Sequence, residues 1–203
     1  MHPFWYLVSA VTLWQVYTRV LRSKAIHLTF DDGPDATHTP RLLDLLDRHA
    51  AKATFFLRGD HAERNPDLTR RLVSAGHALG NHSFSHPSFD QLTWSRQVEE
   101  IERTDRVLAS FDGQAKHVFR PPYGRLTART LALCLSRRQR VALWTHDSFD
   151  FRLDTGAVLQ RLRELPVRRG DIFLFHDDAP SGVAALERIL PEWRAAGFAF
   201  AAL

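Results

Sequence analysis

Sulfur is nearly absent from this chain of 203 residues, which has one cysteine, Cys134, and one methionine. A lone cysteine excludes an intramolecular disulfide framework and a cysteine-based zinc site, but it does not fix the redox compartment. Basic blocks are missing too. Lys+Arg number 27 against 23 Asp+Glu, a formal charge of +4. The excess is arginine scattered along the whole sequence, not the clustered patch by which a nucleic-acid binder is recognised. No nucleic-acid partner is therefore expected. Long apolar runs are scarce, which excludes a polytopic membrane protein. After residue 25 there is no repeat, low-complexity tract or linker. The remaining composition, 44% hydrophobic and 25% charged, is that of a globular domain able to bury a sizeable core. What the chain does have is histidine, 11 residues in all, enough to direct attention to metal or acid–base chemistry.

The first 24 residues differ from the rest. Between His2 and Val20 there is no acidic residue, and residues 4–21 are largely aromatic and aliphatic. A spanning helix requires about 20 apolar residues, so the stretch is at the margin. A cleaved signal peptide opens with positive charge, which this stretch lacks. Trp5, Tyr6, Trp14 and Tyr17 are residues of membrane interfaces. The expectation for 1–24 is an apolar helix, either anchored in or lying on a membrane through residues 4–21, or packed on the domain. Arg19, Arg22 and Lys24 then place the following domain on the cytoplasmic side by the positive-inside rule. A soluble cytoplasmic or an exported protein is the alternative location.

From Ala25 onward, short apolar runs alternate with amphipathic stretches. The reading gives strands at 26–30, 53–56, 77–80, 118–119, 141–144, 172–175 and 198–201. Helices are read at 40–50, 67–75, 94–111, 127–137, 155–165 and 183–195. Strands alternating with helices imply a parallel α/β sheet, and about seven such units suggest a closed or nearly closed barrel. The domain is expected to span 25–203.

In such folds the site lies beyond the C-terminal ends of the strands. Five of those ends carry ionisable or Gly/Pro-rich segments: Asp31-Asp32-Gly33-Pro34, Asn81 to His86, Arg120-Pro121-Pro122-Tyr123-Gly124, Thr145 to Asp150, and His176-Asp177-Asp178. His82 and His86 are four residues apart, a spacing at which two imidazoles can grip one metal. Pro87 biases His86 away from helical backbone, so a loop or single turn is expected there. Adjacent carboxylates at Asp31 and Asp32 point different ways, so one can ligate a metal while its neighbour acts as a base; Asp-Gly-Pro is also ordinary turn chemistry. Two histidines and one carboxylate with an open position make a catalytic zinc site, and Asp32, His82 and His86 supply that set. The prolines stiffen the loop at Tyr123, whose N–H suits an oxyanion hole, and Arg120 can hold a carboxylate ionised. By itself that segment also reads as a rigid turn with a surface arginine. His176 reads as a general acid tuned by a carboxylate, or as a structural histidine.

Taken in order, Thr29–Pro34 (TFDDGP), His82–His86 (HSxxH), Arg120–Gly124 (RPPYG), Asp147–Asp150 (DxxD) and Leu174–His176 (LxH) resemble the motifs of the polysaccharide deacetylase family, carbohydrate esterase family four. The resemblance runs from Ala25 to the C-terminus. It implies a distorted (β/α)7 barrel and hydrolysis of an N-acetyl, or N-formyl, group from an amino sugar in a glycan or glycolipid. It further implies a divalent metal, zinc first and Co2+, Ni2+ or Mn2+ otherwise, held by Asp32, His82 and His86. By the same resemblance Asp31 is the base, oriented by Arg120. His176 is the acid, tuned by Asp150, and Tyr123 N–H stabilises the oxyanion. Leu174, Phe151 and Pro121 line the substrate pocket. Where the family's fourth motif usually ends in Trp, this chain has Phe151, which keeps an apolar wall and loses the indole N–H. The rival expectations are an O-acetyl ester hydrolase and a non-catalytic carbohydrate-binding protein on the same fold.

Overall fold

The computed structural model describes residues 16–17, 20 and 23–203. The strands are β1 (Val16–Tyr17), β2 (Ala25–Asp31), β3 (Thr54–Leu57), β4 (Ala78–Asn81), β5 (Val118–Phe119), β6 (Val141–Ala142), β7 (His146–Asp147), β8 (Ile172–His176) and β9 (Ala199–Phe200). The α-helices are α1 (Thr39–Arg48), α2 (Gly59–Arg64), α3 (Pro66–Ser74), α4 (Trp94–Asp112), α5 (Ala128–Ser136), α6 (Thr155–Glu164) and α7 (Pro180–Ala195). Every strand pairing is parallel, in the order β1-β6-β5-β4-β3-β2-β8-β7, with β9 on the free N-terminal part of β2. This is the expected distorted α/β barrel. Among the described residues its ladder stays open between β1 and β7.

The strand read at 141–144 is shorter than expected, and His146–Asp147 forms a strand of its own. The break lies where Leu143 O and Ala142 O accept hydrogen bonds from Arg120, which takes them out of a regular ladder. Helix α2 was not legible because its six residues carry no apolar periodicity. Val16–Tyr17, within the expected apolar helix, is strand paired with β6; of the rest of that stretch only Val20, Ser23 and Lys24 are among the described residues, and they are not helical. Among the described residues no helix is long and apolar enough to cross a membrane.

Strand β2 shows how the fold sorts its residues. All seven are buried, as in a parallel strand covered on both sides. The period of two separates Ile26, Leu28 and Phe30, which join the cluster beneath the helices, from His27, Thr29 and Asp31. Asp31, on the latter face, reaches the site at the C-terminal end of the strand. Phe56 of β3 belongs to a second apolar cluster, with Val118 and Ala142. Helix α4 starts at Thr93, whose side chain caps Arg96 N–H, and ends at Gly113 with φ 75°, the left-handed cap that glycine takes without penalty.

Candidate active site

The C-terminal ends of β2, β4, β5 and β8 bring their segments to one place. Asp31 sits in register with His176 on the neighbouring strand β8. Arg120, which directly follows β5, is fully buried. Its guanidinium donates to Asp31 Oδ1 at 2.7 Å, to Thr29 Oγ1 at 2.7 Å, and to the carbonyls of Ala142 and Leu143 at 3.1 and 2.9 Å. It lies 4.0 Å from the Phe56 ring centroid. So many fixed donors hold Asp31 in a single orientation. Burial pushes the Asp31 carboxyl up from its ordinary value, and the Arg120 charge pulls the other way.

The second pair is wired separately. His176 Nδ1 lies 2.8 Å from Asp150 Oδ1, and the His176 backbone N–H donates to Asp150 Oδ2 at 2.9 Å. Burial disfavours the imidazolium, but the hydrogen bond and charge of Asp150 outweigh it and push the His176 pKa up to about 9. The chain packs closely here: a Cβ on Gly182 would fall 2.2 Å from Asp150 Oδ2, so only glycine fits beneath that carboxylate.

Asp32, at φ 72°, turns away from Asp31 and faces the histidines. Asp32 Oδ1 is 3.3 Å from His86 Nε2 and 3.7 Å from His82 Nε2. The three residues offer ligand atoms all within 4.8 Å of one another. Asp32 Oδ1 is buried without a hydrogen-bond partner, a costly state for a carboxylate unless a cation compensates it. His82 Nδ1 donates to Arg120 O at 2.8 Å, which fixes the tautomer and leaves Nε2 as a lone-pair donor. Burial pushes the His82 pKa down to about 3, so the ring is neutral, as a ligand must be. The residues fit a divalent metal with a position left open.

The His82–His86 segment is a loop. Ser83 and His86 have φ of 64° and 60°, and Glu100 of α4 accepts hydrogen bonds from Phe84 N, Ser85 N and Ser85 Oγ. Glu100 was missed by sequence reasoning, as was His61, whose Nδ1 donates to Asp32 O at 2.8 Å. Neither stands in a strand-end motif. The available signal for Glu100 is an acid next to Ile101 on the buried face of an amphipathic helix.

The remaining expected residues lie beside these groups or in the segments that carry them. Tyr123 is 64% exposed, with its ring edge-on to His86 at 4.6 Å. In its turn the Gly124 and Arg125 amides are taken by Pro121 O and Pro122 O, and the Tyr123 amide is left out of these bonds. Phe151, 56% exposed, meets His176 edge-on at 5.1 Å. Leu174 is two residues before His176 on the same face of β8 and pairs with Thr29. Pro121 is buried within the turn.

The profile of the polysaccharide deacetylase family matches residues 18–138. The chain belongs to this family. A peptidoglycan-N-acetylglucosamine deacetylase of Bacillus cereus is 33% identical over 186 residues, 88% of this chain and 66% of that protein. The chain thus spans just under two thirds of that relative. A chitooligosaccharide deacetylase of Sinorhizobium fredii is 34% identical over 86% of this chain and 87% of its own. Among solved structures, a peptidoglycan N-acetylglucosamine deacetylase bound to a naphthyl-substituted N-hydroxybenzamide superposes with a TM-score of 0.89 and 28% identity. That match covers 100% of this chain and 95% of the other. Membership of the polysaccharide deacetylase family accounts for the order of the five strand-end segments.

Proposed function

We propose that this chain is a metal-dependent hydrolase that removes the N-acetyl group from an amino sugar in a glycan. The observation that carries this reading is the pair of separately wired groups, Asp31 on Arg120 and His176 on Asp150, beside a metal-competent triad. Asp32, His82 and His86 would hold the ion, for which zinc is the first candidate given the neutral imidazoles and single carboxylate. When bound, a divalent ion supplies Lewis-acid polarisation of the acetyl carbonyl and a more acidic water. Asp31, oriented by Arg120, accepts the proton of the attacking water. The Tyr123 N–H stabilises the oxyanion that develops. His176, protonated at neutral pH because its pKa is about 9, delivers a proton to the leaving amine. Leu174 and Phe151 provide the apolar surface for the acetyl methyl and the sugar face.

The relatives act on peptidoglycan and chitooligosaccharides by name, which supports an N-acetylglucosamine-containing substrate. The presence of base, acid and triad together argues against a carbohydrate-binding protein on an inactive fold. The apolar stretch at residues 4–21 favours a membrane-associated protein. The test is acetate release from N-acetylglucosamine oligomers and from a polyprenyl-phosphate-linked N-acetyl sugar, with zinc and with chelator. Chelator-sensitive release from either substrate supports the reading, and no release from metal-loaded protein refutes it.

A further inference from the structure

The barrel is electrically polar along its strand axis. All its strands run parallel, so the segments that lead into them lie on one rim, opposite the site. The chain has only three lysines, Lys24, Lys52 and Lys116, and each stands one or two residues before a strand. Arg138 and Arg140 precede β6, and Arg168 and Arg169 precede β8; all these lysines and arginines are exposed. Hydrogen bonds tie the segments into a continuous surface. Lys116 Nζ donates to Arg137 O at 2.7 Å, Phe119 N to Arg140 O at 2.8 Å, and Gly170 N to Ala25 O at 2.7 Å. Lys52 and Lys116 donate to carbonyls, which leave their charge uncompensated. In the connections 113–117, 137–140 and 165–171 the only acid is Asp171, which is buried and paired with His146. The opposite rim carries Asp32, Asp147, Asp154 and Asp178 beside Arg125 and Arg152, so its charges are mixed.

We infer that the basic rim docks on an anionic phospholipid bilayer, with the mouth of the site facing away from it. Two observations favour a bilayer over other polyanions. Val16 pairs with Val141, the first residue of β6, and Val20 N donates to Gly170 O at 2.8 Å. The described chain therefore begins at this same rim, and in sequence it follows the apolar stretch at residues 4–21. The acids of the mouth are also set well back. Seven residues of β2 at about 3.3 Å each place Asp31 roughly 20 Å from the rim, more than two Debye lengths at physiological salt, ~8 Å each. Attraction at one end thus proceeds without repulsion at the other. The consequence deepens the proposed function: the docked enzyme reaches a glycan that extends several sugars from the surface, and not a single sugar at a lipid headgroup.

The test is co-sedimentation of the full chain with vesicles of phosphatidylcholine, with and without phosphatidylglycerol. The triple variant Lys116→Glu/Arg138→Glu/Arg140→Glu is expected to bind phosphatidylglycerol vesicles at least tenfold more weakly than the parent, and pure phosphatidylcholine equally. Lys24→Glu/Arg168→Glu gives an independent second reading should the first variant fold poorly by circular dichroism. Arg125→Glu/Arg152→Glu, reversed on the opposite rim, is expected to stay within twofold. Rim variants within twofold of the parent overturn the inference. So does a parent that prefers soluble polyphosphate to vesicles at equal phosphate concentration. Vesicle binding is read without turnover, so its failure leaves the reaction standing, and a failure of acetate release leaves the docking standing.

Discussion

At the scale of single residues, the site rests on two ion pairs that act oppositely on their proton carriers. In the proposed reaction Arg120 orients the buried Asp31 carboxylate as the base, and Asp150 raises the pKa of His176, the proposed acid. Replacing Asp150 by Asn preserves shape and removes the charge that raises His176. Because the hydrogen bond and charge of Asp150 raise His176, the alkaline limb of kcat/KM is expected to move at least one pH unit toward neutrality. An unmoved limb in the pH–rate profile would show that His176 is not the acid. Arg120→Met strands Asp31 in a fully buried position. Breaking such a pair costs about 3–5 kcal/mol, and the loss should be larger at pH 8 than at pH 5, where Asp31 can protonate. Urea unfolding at the two pH values measures it.

At the scale of elements, the metal loop owes its shape to a helix that contributes no ligand. Residues 82–86 hold left-handed backbone at two positions, a conformation that costs energy for residues other than glycine. Glu100 offsets that cost by accepting three hydrogen bonds from Phe84 and Ser85. Glu100→Gln replaces one acceptor oxygen with a donor. Loss of an outer-shell partner typically weakens metal binding about 10–100-fold, and this is the expected effect, measured by competition with a zinc-chelating dye. Rescue by Glu100→Asp together with Ser85→Ala is not expected, because both the hydroxyl and the amide bonds are used. The loop was read from sequence as non-helical through Pro87, but the acid that shapes it was not. Glu100 becomes significant only when α4 packs beside β4.

At the scale of the whole molecule, two buried histidines outside the site contribute to the pH dependence of stability with opposite signs. His77 accepts a hydrogen bond from Ala53 N–H, and burial pushes its pKa from 6.5 down to about 4. The unfolded chain therefore binds that proton first. The contribution of His77 is complete above about pH 6.5 and is lost as pH falls toward 4, at most about 3 kcal/mol. His117, held between Asp105 and Asp112, is opposite in sign. Burial alone would lower its pKa, but the two carboxylates raise it. Its contribution is present below pH 6.5 and is lost as pH rises through the folded value. Urea midpoints from pH 4 to 9 are expected to fall at both ends, with His77→Gln flattening the acid side and His117→Gln the alkaline side. The alternation of apolar runs with amphipathic stretches was enough to specify a parallel α/β barrel, because burial on both sides of a strand and on one side of a helix leaves a local pattern. The chemistry at five strand ends was legible for the same reason: parallel topology sends every such segment to one rim. Partnership was legible only through the family resemblance, which pairs Arg120 with Asp31 and Asp150 with His176. That Arg120 also reaches Thr29 of β2, that Leu143 O interrupts a strand, and that Glu100 and His61 brace the segment at residues 82–86 and Asp32 depend on residues brought together across 16 to 91 positions of sequence. Hydrogen bonds of that span leave no periodic trace along a chain, so only the tertiary structure decides them.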